Sequence, residues 1–298
     1  MYIPILSSIS KHLERRKGGG GGGGGGGHGS SGKGGGKSSG GKGSSGSKTI
    51  PAVVPWMKSP AVSYGQGGGH PIVIPNGALF AGRTAGGGNR TTVYGTKRYG
   101  SGYPGISGSR VQDRGFPYIF WPVIWTSLFI GSATYLYSNE FGLPGNLDRP
   151  GGIMMNAAFK SGVTGTVYRV VADNATVVAL CQEISAKCSG SIADSNSAPV
   201  ADSGDASQAK PEQAVQYYRA SSVVLTLDGY NNSAIFASDD TPDVALPSNI
   251  DTQLLSCMND TIGQAVPLVD FAPVRMPFPK IVPLLGVIVA LIYMIDDL

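Results

Sequence analysis

Histidine is scarce in this 298-residue chain: His12, His28 and His70 are the only three. Everything after residue 70 therefore lacks the base of a Ser-His-Asp or Cys-His pair and the commonest metal-ligating side chain. The sequence reads as no enzyme, with no cofactor. Acids are nearly missing from residues 1–137, which hold two against 15 Lys and Arg. Cysteine is sparse too, three in all. An odd number cannot pair completely, so one disulfide and one buried thiol is the economical reading in an oxidising compartment. Phosphate loops are missing as well. "GGGKSS" has Ser31 where the first glycine of such a loop belongs, and in "GSGYPG" (100–105) Pro and Gly follow where a helix should begin. The start, "MYIPILSSISKHLERRK", lacks the basic leader, long apolar run and small-residue cleavage site of a signal peptide.

Glycine, by contrast, is abundant, with 46 residues beside 20 prolines. Residues 1–50 are Gly, Ser and Lys low complexity, without the apolar surface that would offset the entropy of ordering a backbone, and are expected to be disordered. Residues 51–114 carry more Val, Ile and Tyr but stay punctuated by Gly and Pro. They read as a loosely structured basic arm in which "PIVIP" and "TTVYG" are short strand candidates. Residues 138–280 are acidic, with a net charge of −7 against +13 for residues 1–137. A basic and an acidic half separated by an apolar block suggest two environments.

That block, "GFPYIFWPVIWTSLFIGSATYLY" at 115–137, is uncharged, and the uncharged run continues to residue 139. A spanning helix needs about 20 mostly apolar residues, and aromatic rings towards both ends of the block suit headgroup regions. Pro117 fits a first helical turn, whereas Pro122 delays or kinks the helix. The block is expected to be a transmembrane helix over 115–138, with a buried segment of a folded domain as the alternative. Charge bias then puts the N-terminus in the cytoplasm and residues 138–280 outside. A second apolar segment, 281–295, is either another span or a lipid-anchor signal.

Between them, residues 153–270 read as one α+β extracellular or lumenal domain, a small antiparallel sheet with two helices in the order β-α-β-β-α. "GTVYRVVAD" has strand chemistry. "NATVVALCQEISAKC" is a helix capped by Asp173 or Asn174, with Val177, Cys181, Ile184 and Cys188 along one stripe and Glu183 and Lys187 on the outer face. Residues 189–212 form a mobile acidic loop. "QAVQYYRASSVVLTL" is one long strand or two, "AIFAS" a partner strand, and "DTQLLSCMNDTIG" a helix ending near Gly263. Asp239, Asp240 and Asp243 fit a solvated turn rather than a calcium site.

Three sequons, at Asn174, Asn231 and Asn259, fall in this domain and are the expected glycosylation sites; Asn89 carries a fourth and is expected to stay bare. Cys181 and Cys188 lie about 10 Å apart along one helix, too far to bridge. Cys257 must choose between them. Cys188 is at the helix end, where the chain can adjust, so the expected disulfide is Cys188 to Cys257.

The expected function is a membrane glycoprotein of the cell surface or secretory pathway with a structural or interaction role, the membrane being its one assigned partner. The alternative is a Gly/Lys-rich RNA-binding protein, resting on Arg83, Arg90, Lys97 and Arg98 interleaved with Tyr94 and Tyr99. A solvated, positive-inside arm explains those residues more simply, and nucleic acid is not the expected partner.

Two resemblances add to this. "YRASSVVLTL" (218–227) resembles the cleavage-region strand of SEA domains, juxtamembrane α/β modules of which the self-cleaving members carry Gly-Ser before a valine run. Ser221 and Ser222 stand there in this chain. Such a module implies a further pairing strand near 266–271 and a strained turn at Ser221. From about residue 74 onward, "YGSGYPG", "RGFPYIFWPV", "RPGG", "PEQAVQYYRASSVVLTLDGYNN" and "AVPLVD" resemble a family of Gly-rich proteins from mushroom-forming (basidiomycete) fungi. That resemblance implies membrane association, cysteines like Cys188 and Cys257, and an extra cysteine at 181.

Overall fold

In a computed structural model of the chain, which describes residues 49–51, 54–57, 59–106, 110–125, 136, 139–193, 198–203 and 208–270, the β-branched run at 167–173 is the middle of a larger sheet than its sequence suggests. All of these residues belong to one compact unit. The chain forms β1 (Thr49–Ile50), β2 (Ala61–Val62), β3 (Ile72–Val73), β4 (Thr84–Ala85), β5 (Met154–Lys160), β6 (Val167–Asp173), α1 (Asn174–Lys187), β7 (Val200–Ala201), β8 (Ala214–Tyr218), β9 (Val223–Leu227), α2 (Thr252–Ala265) and β10 (Leu268–Val269). The α+β class, two helices and antiparallel pairing are as expected.

Five strands make the main sheet, in the order β7-β5-β6-β9-β8, every pair antiparallel. β5 and β6 are a hairpin in full register, from Met154 opposite Asp173 to Lys160 opposite Val167. The strand β5, "MMNAAFK", escapes sequence reading because Met and Ala carry little strand preference. β9 is buried at all five positions, so both faces of the sheet are covered. Side chains of β8 alternate accordingly. The Tyr218 hydroxyl donates to Asn259 on α2 at 2.6 Å, while the Tyr217 ring packs on Tyr99 with centroids 5.8 Å apart.

The helix face is built from two capped helices. The Asp173 carboxylate accepts from the Thr176 amide at 3.0 Å, and that of Asp251 from the Leu254 amide at 2.8 Å. Each cap satisfies an amide that helix geometry leaves unpaired. α1 lies on β5 and β6 and packs against α2, through the expected stripe of Val177, Cys181, Ile184 and Cys188, all buried. α2 runs on through Gly263 to Ala265. A Cβ at position 263 would stand 1.9 Å from the Tyr94 hydroxyl oxygen, so this glycine admits a close neighbour and does not stop the helix.

Four expectations change. Ser233–Phe236, in "AIFAS", forms a 3-10 turn instead of a strand. β9 already pairs with β6 and β8 and has no free edge to offer. The basic arm is not loose where it is described: Arg219 N–H donates to Val93 O at 2.7 Å and Gly95 N–H to Tyr217 O at 2.9 Å. A second sheet, β1-β2-β10, joins the start of the arm to the end of the domain. Glu183 and Lys187 are not simply solvated, since the Tyr64 hydroxyl donates to Glu183 and the Lys187 ammonium sits 4.6 Å from the Tyr64 ring centroid.

The fourth change concerns the apolar block. Residues 115–125 of the expected 115–138 transmembrane helix are not helical. Among the described residues no helix is long and apolar enough to cross a membrane. Residues 126–135, 137 and 138 of that block lie outside the described residues, as do the segment 281–295 and the low-complexity stretch up to residue 48. Thr49 and Ile50, at its end, pair with β2.

Candidate functional site

Residues 115–125 have two prolines, and neither Pro117 nor Pro122 can donate to a ladder. The remaining backbone groups find partners across the fold. Phe116 N–H donates to Thr84 O (2.8 Å), Gly86 and Gly88 donate to Phe116 O and Pro117 O (2.9 and 2.8 Å), and Val123 N–H donates to Ser221 O (2.8 Å). The Tyr99 hydroxyl donates to Val123 O at 2.6 Å. The rings collect with those of neighbouring loops, Phe80, Phe116, Trp121 and Phe141 lying with centroids 4.9–6.4 Å apart. Amphipathic rings that would suit a headgroup region line the core here.

Two guanidinium groups are buried beside this block. Arg219, fully buried, closes the β8–β9 turn. It donates to Asp173 (2.7 Å), to Pro267 O (2.9 Å) and to the Ser222 hydroxyl oxygen (2.7 Å), with its guanidinium carbon 3.5 Å from the Phe120 ring centroid. Burial lowers its pKa to about 10, against the support of Asp173, still far above neutrality. Asp173 thus serves twice, with one oxygen capping α1 and the other holding Arg219. Arg149 donates through Nη2 to Trp121 O and Pro122 O. Burial lowers its pKa to about 10 as well, with Asp173 again the largest opposing influence.

The turn that carries Arg219 is held in an uncommon conformation. Arg219, Ala220 and Ser221 all have positive φ, at 51°, 49° and 57°. Three consecutive non-glycine residues in the left-handed region are costly unless the surroundings fix them. Ser221 Oγ donates to Ser101 O and accepts from Gly100 N–H, while Ser222 Oγ donates to Arg219 O and accepts from Arg219 Nε. Both hydroxyls are tied down. A strained turn at Ser221 is what the SEA resemblance implied, whereas nothing in the sequence reading pointed to the ion pair. The available signal was that Arg219 is the only charge in residues 213–227.

Arg149 also forms part of the wall of a cavity of about 620 Å³, with Val54, Ile74, Phe116, Ile119 and Trp121, and with Leu79 and Leu147 at its exposed mouth. This is the size and lining usual for small-molecule pockets. Nothing in the sequence marked Arg149 except its place in "RPGG".

The expected disulfide is present: Cys188, capping the end of α1, is bonded to Cys257 on α2, with Cα atoms 5.9 Å apart, and Cys181 is a buried free thiol. Asn174 and Asn231 are exposed. Asn259 is half-buried, its oxygen taken by Tyr218. Asn89 is in the same unit as these three, and its side chain caps a 3-10 turn at Arg90–Thr92.

The basic residues of the nucleic-acid alternative have internal partners. Arg83 pairs with Glu140, Arg90 donates to Gly65 O, Gly263 O and Val266 O, Arg98 pairs with Asp243, and the Lys97 ammonium lies 5.3 Å from the Tyr230 ring centroid. Among the described residues no group of three His, Cys, Asp or Glu could hold a metal ion. Asp243 instead accepts from Arg98 and Asn232. No protein-family model, curated protein or solved structure matches this chain.

Proposed function

We propose that residues 49–270 form a non-catalytic binding module on the extracytoplasmic side of a membrane, part of a glycoprotein of the cell surface or secretory pathway. The apolar segment 281–295 is its attachment, and Asn174, Asn231 and Asn259 carry its glycans. The observation that carries the reading is the Cys188–Cys257 disulfide between the two helices, since such bonds persist in oxidising compartments and are rare in the cytosol. The exposure of Asn174 and Asn231 supports it.

This reading amends the topology expected from charge. Backbone bonds between Arg219 and Val93, Gly95 and Tyr217, and Val123 and Ser221 support a topology in which the basic segment 51–114 lies on the same side as 153–270. Arginines with internal partners no longer argue for a cytoplasmic face, nor for nucleic acid.

A SEA-like module is the second reading, favoured by the three left-handed residues at Arg219, Ala220 and Ser221 and by the element order β6-α1-β7-β8-β9-α2-β10. β10 pairs with β2, outside the main sheet, which departs from what that resemblance implies. With Ser222 held by Arg219 the expected product is an uncleaved chain, read as one species by intact mass.

The test is production of the full chain through a secretory pathway. Glycosidase should lower its apparent mass, and Asn174→Gln, Asn231→Gln and Asn259→Gln should each remove one step. An unglycosylated chain with three free thiols in that material would overturn the proposal.

A further inference from the structure

Charge bias alone makes Asn89-Arg90-Thr91 a cytoplasmic sequon, but the hydrogen bonds around it point the other way. Gly68 N–H donates to Gly88 O and Arg90 N–H to Gln66 O, each at 2.8 Å, and Arg219 N–H, in the β8–β9 turn, donates to Val93 O at 2.7 Å. The Arg90 guanidinium reaches Gly263 O on α2 (3.1 Å) and Val266 O just beyond it (2.8 Å). Asn259, another sequon, is on that same helix. On the extracytoplasmic reading, residues joined by bonds this short face the lumen together, since the core of a bilayer is about 30 Å thick.

The two ends of the Asn89 amide do different things. Oδ1 accepts from Thr91 N–H at 3.0 Å and from the Thr91 and Thr92 hydroxyls at 2.6 and 3.3 Å. Nδ2 donates to nothing among the described residues, and it is not one of the buried atoms left without a partner, so solvent reaches it. Thr91, the third residue of the sequon, is exposed as well. A sugar joined to Nδ2 keeps the amide carbonyl, so the cap on the Arg90–Thr92 turn and a glycan would use different atoms.

We propose that Asn89 is a fourth N-glycosylation site, with Nδ2 as the acceptor atom and a lipid-diphosphate-linked oligosaccharide as the donor. The bond formed joins Nδ2 to the anomeric carbon of the first sugar, and the bond broken joins that carbon to a diphosphate oxygen. The lipid diphosphate leaves with the electron pair, and Nδ2 gives up one proton. Thr91 supplies the hydroxyl that the sequon requires. The proposal rests on the extracytoplasmic reading and adds to it, because a cytoplasmic arm would leave Asn89 bare.

Production of the full chain through a eukaryotic secretory pathway, with peptide mapping after an amide-cleaving glycosidase, tests it, because that enzyme converts a glycosylated asparagine to aspartate. Conversion is expected at Asn89 as well as at Asn174, Asn231 and Asn259. Asn89→Asp and Thr91→Ala should each remove one mobility step. Both leave a side chain at position 89 that caps well, so the lost step reports the glycan rather than the fold. Thr91→Ser keeps the sequon and should keep the step. An unconverted Asn89 in a chain glycosylated at Asn174 or Asn231 would overturn the proposal and leave the extracytoplasmic reading standing. A full set of steps surviving in Thr91→Ala would overturn it in the same way. A chain bare at all four sequons would overturn both.

Discussion

Asp173 is the residue on which most of the interior depends, because one carboxylate caps α1 and neutralises Arg219. The two roles separate by substitution. Asparagine is a good N-cap but carries no charge, so Asp173→Asn should keep the helix start and still lose about 3–5 kcal/mol, the range for stranding a buried charge. Asp173→Ala should lose about 1 kcal/mol more, for the cap. Chemical denaturation of both variants checks this, and a neutral Asp173→Asn would mean that Arg219 is solvated. Cys181 gives a second expectation. Burial pushes its thiol up to about 12, so it should resist alkylation near pH 8 in the folded protein and be the single labelled cysteine after unfolding without reductant. Gly88 gives a third. A Cβ there would stand 2.5 Å from the buried Tyr118 ring, so Gly88→Ala should destabilise by about 1–3 kcal/mol, as overpacking does. A gain in thermal stability would show that the ring is free to move.

At the scale of elements, both helices could be read from the sequence, the first with its cap and buried stripe, because a 3.6-residue period is a local property. So could the disulfide, since helix spacing forbids the Cys181–Cys188 pair. Reducing it opens a 69-residue separation and should lower stability by about 4 kcal/mol on the chain-entropy model; little change in the denaturation midpoint on reduction would show that α1 and α2 hold without it. The block 115–125 was misread for a physical reason. Burial in a protein core and burial in lipid select the same side chains, and what distinguishes them is where the backbone hydrogen bonds go. Here they go to Thr84 O, Ser221 O and the amides of Gly86 and Gly88, all distant in sequence and invisible to a window of 20 residues. Pro117 and Pro122 were the local warning. The strand β5 and the ion pair of Asp173 with Arg219 were missed likewise, the first for want of β-branched residues and the second because its members lie 46 residues apart.

For the molecule as a whole, the central claim is that residues 59–125 and 139–270 fold as one cooperative unit with the aromatic block inside. Charge asymmetry suggested two compartments, but Arg83, Arg90, Lys97 and Arg98 of the basic half are held by carbonyls, rings and acids of the acidic half. These four cations therefore serve internal contacts. Amide hydrogen exchange of the full chain, resolved to single residues, tests this most directly, since amides that open only with the global transition share its free energy. The amides of Gly95, Phe116 and Val123 should exchange as slowly as those of Val224 and Leu225 in β9, and all should accelerate together in Asp173→Asn. Fast exchange at Gly95, Phe116 and Val123 beside a protected β9 would contradict it, leaving the sheet as a domain of its own and the aromatic block free to enter a membrane.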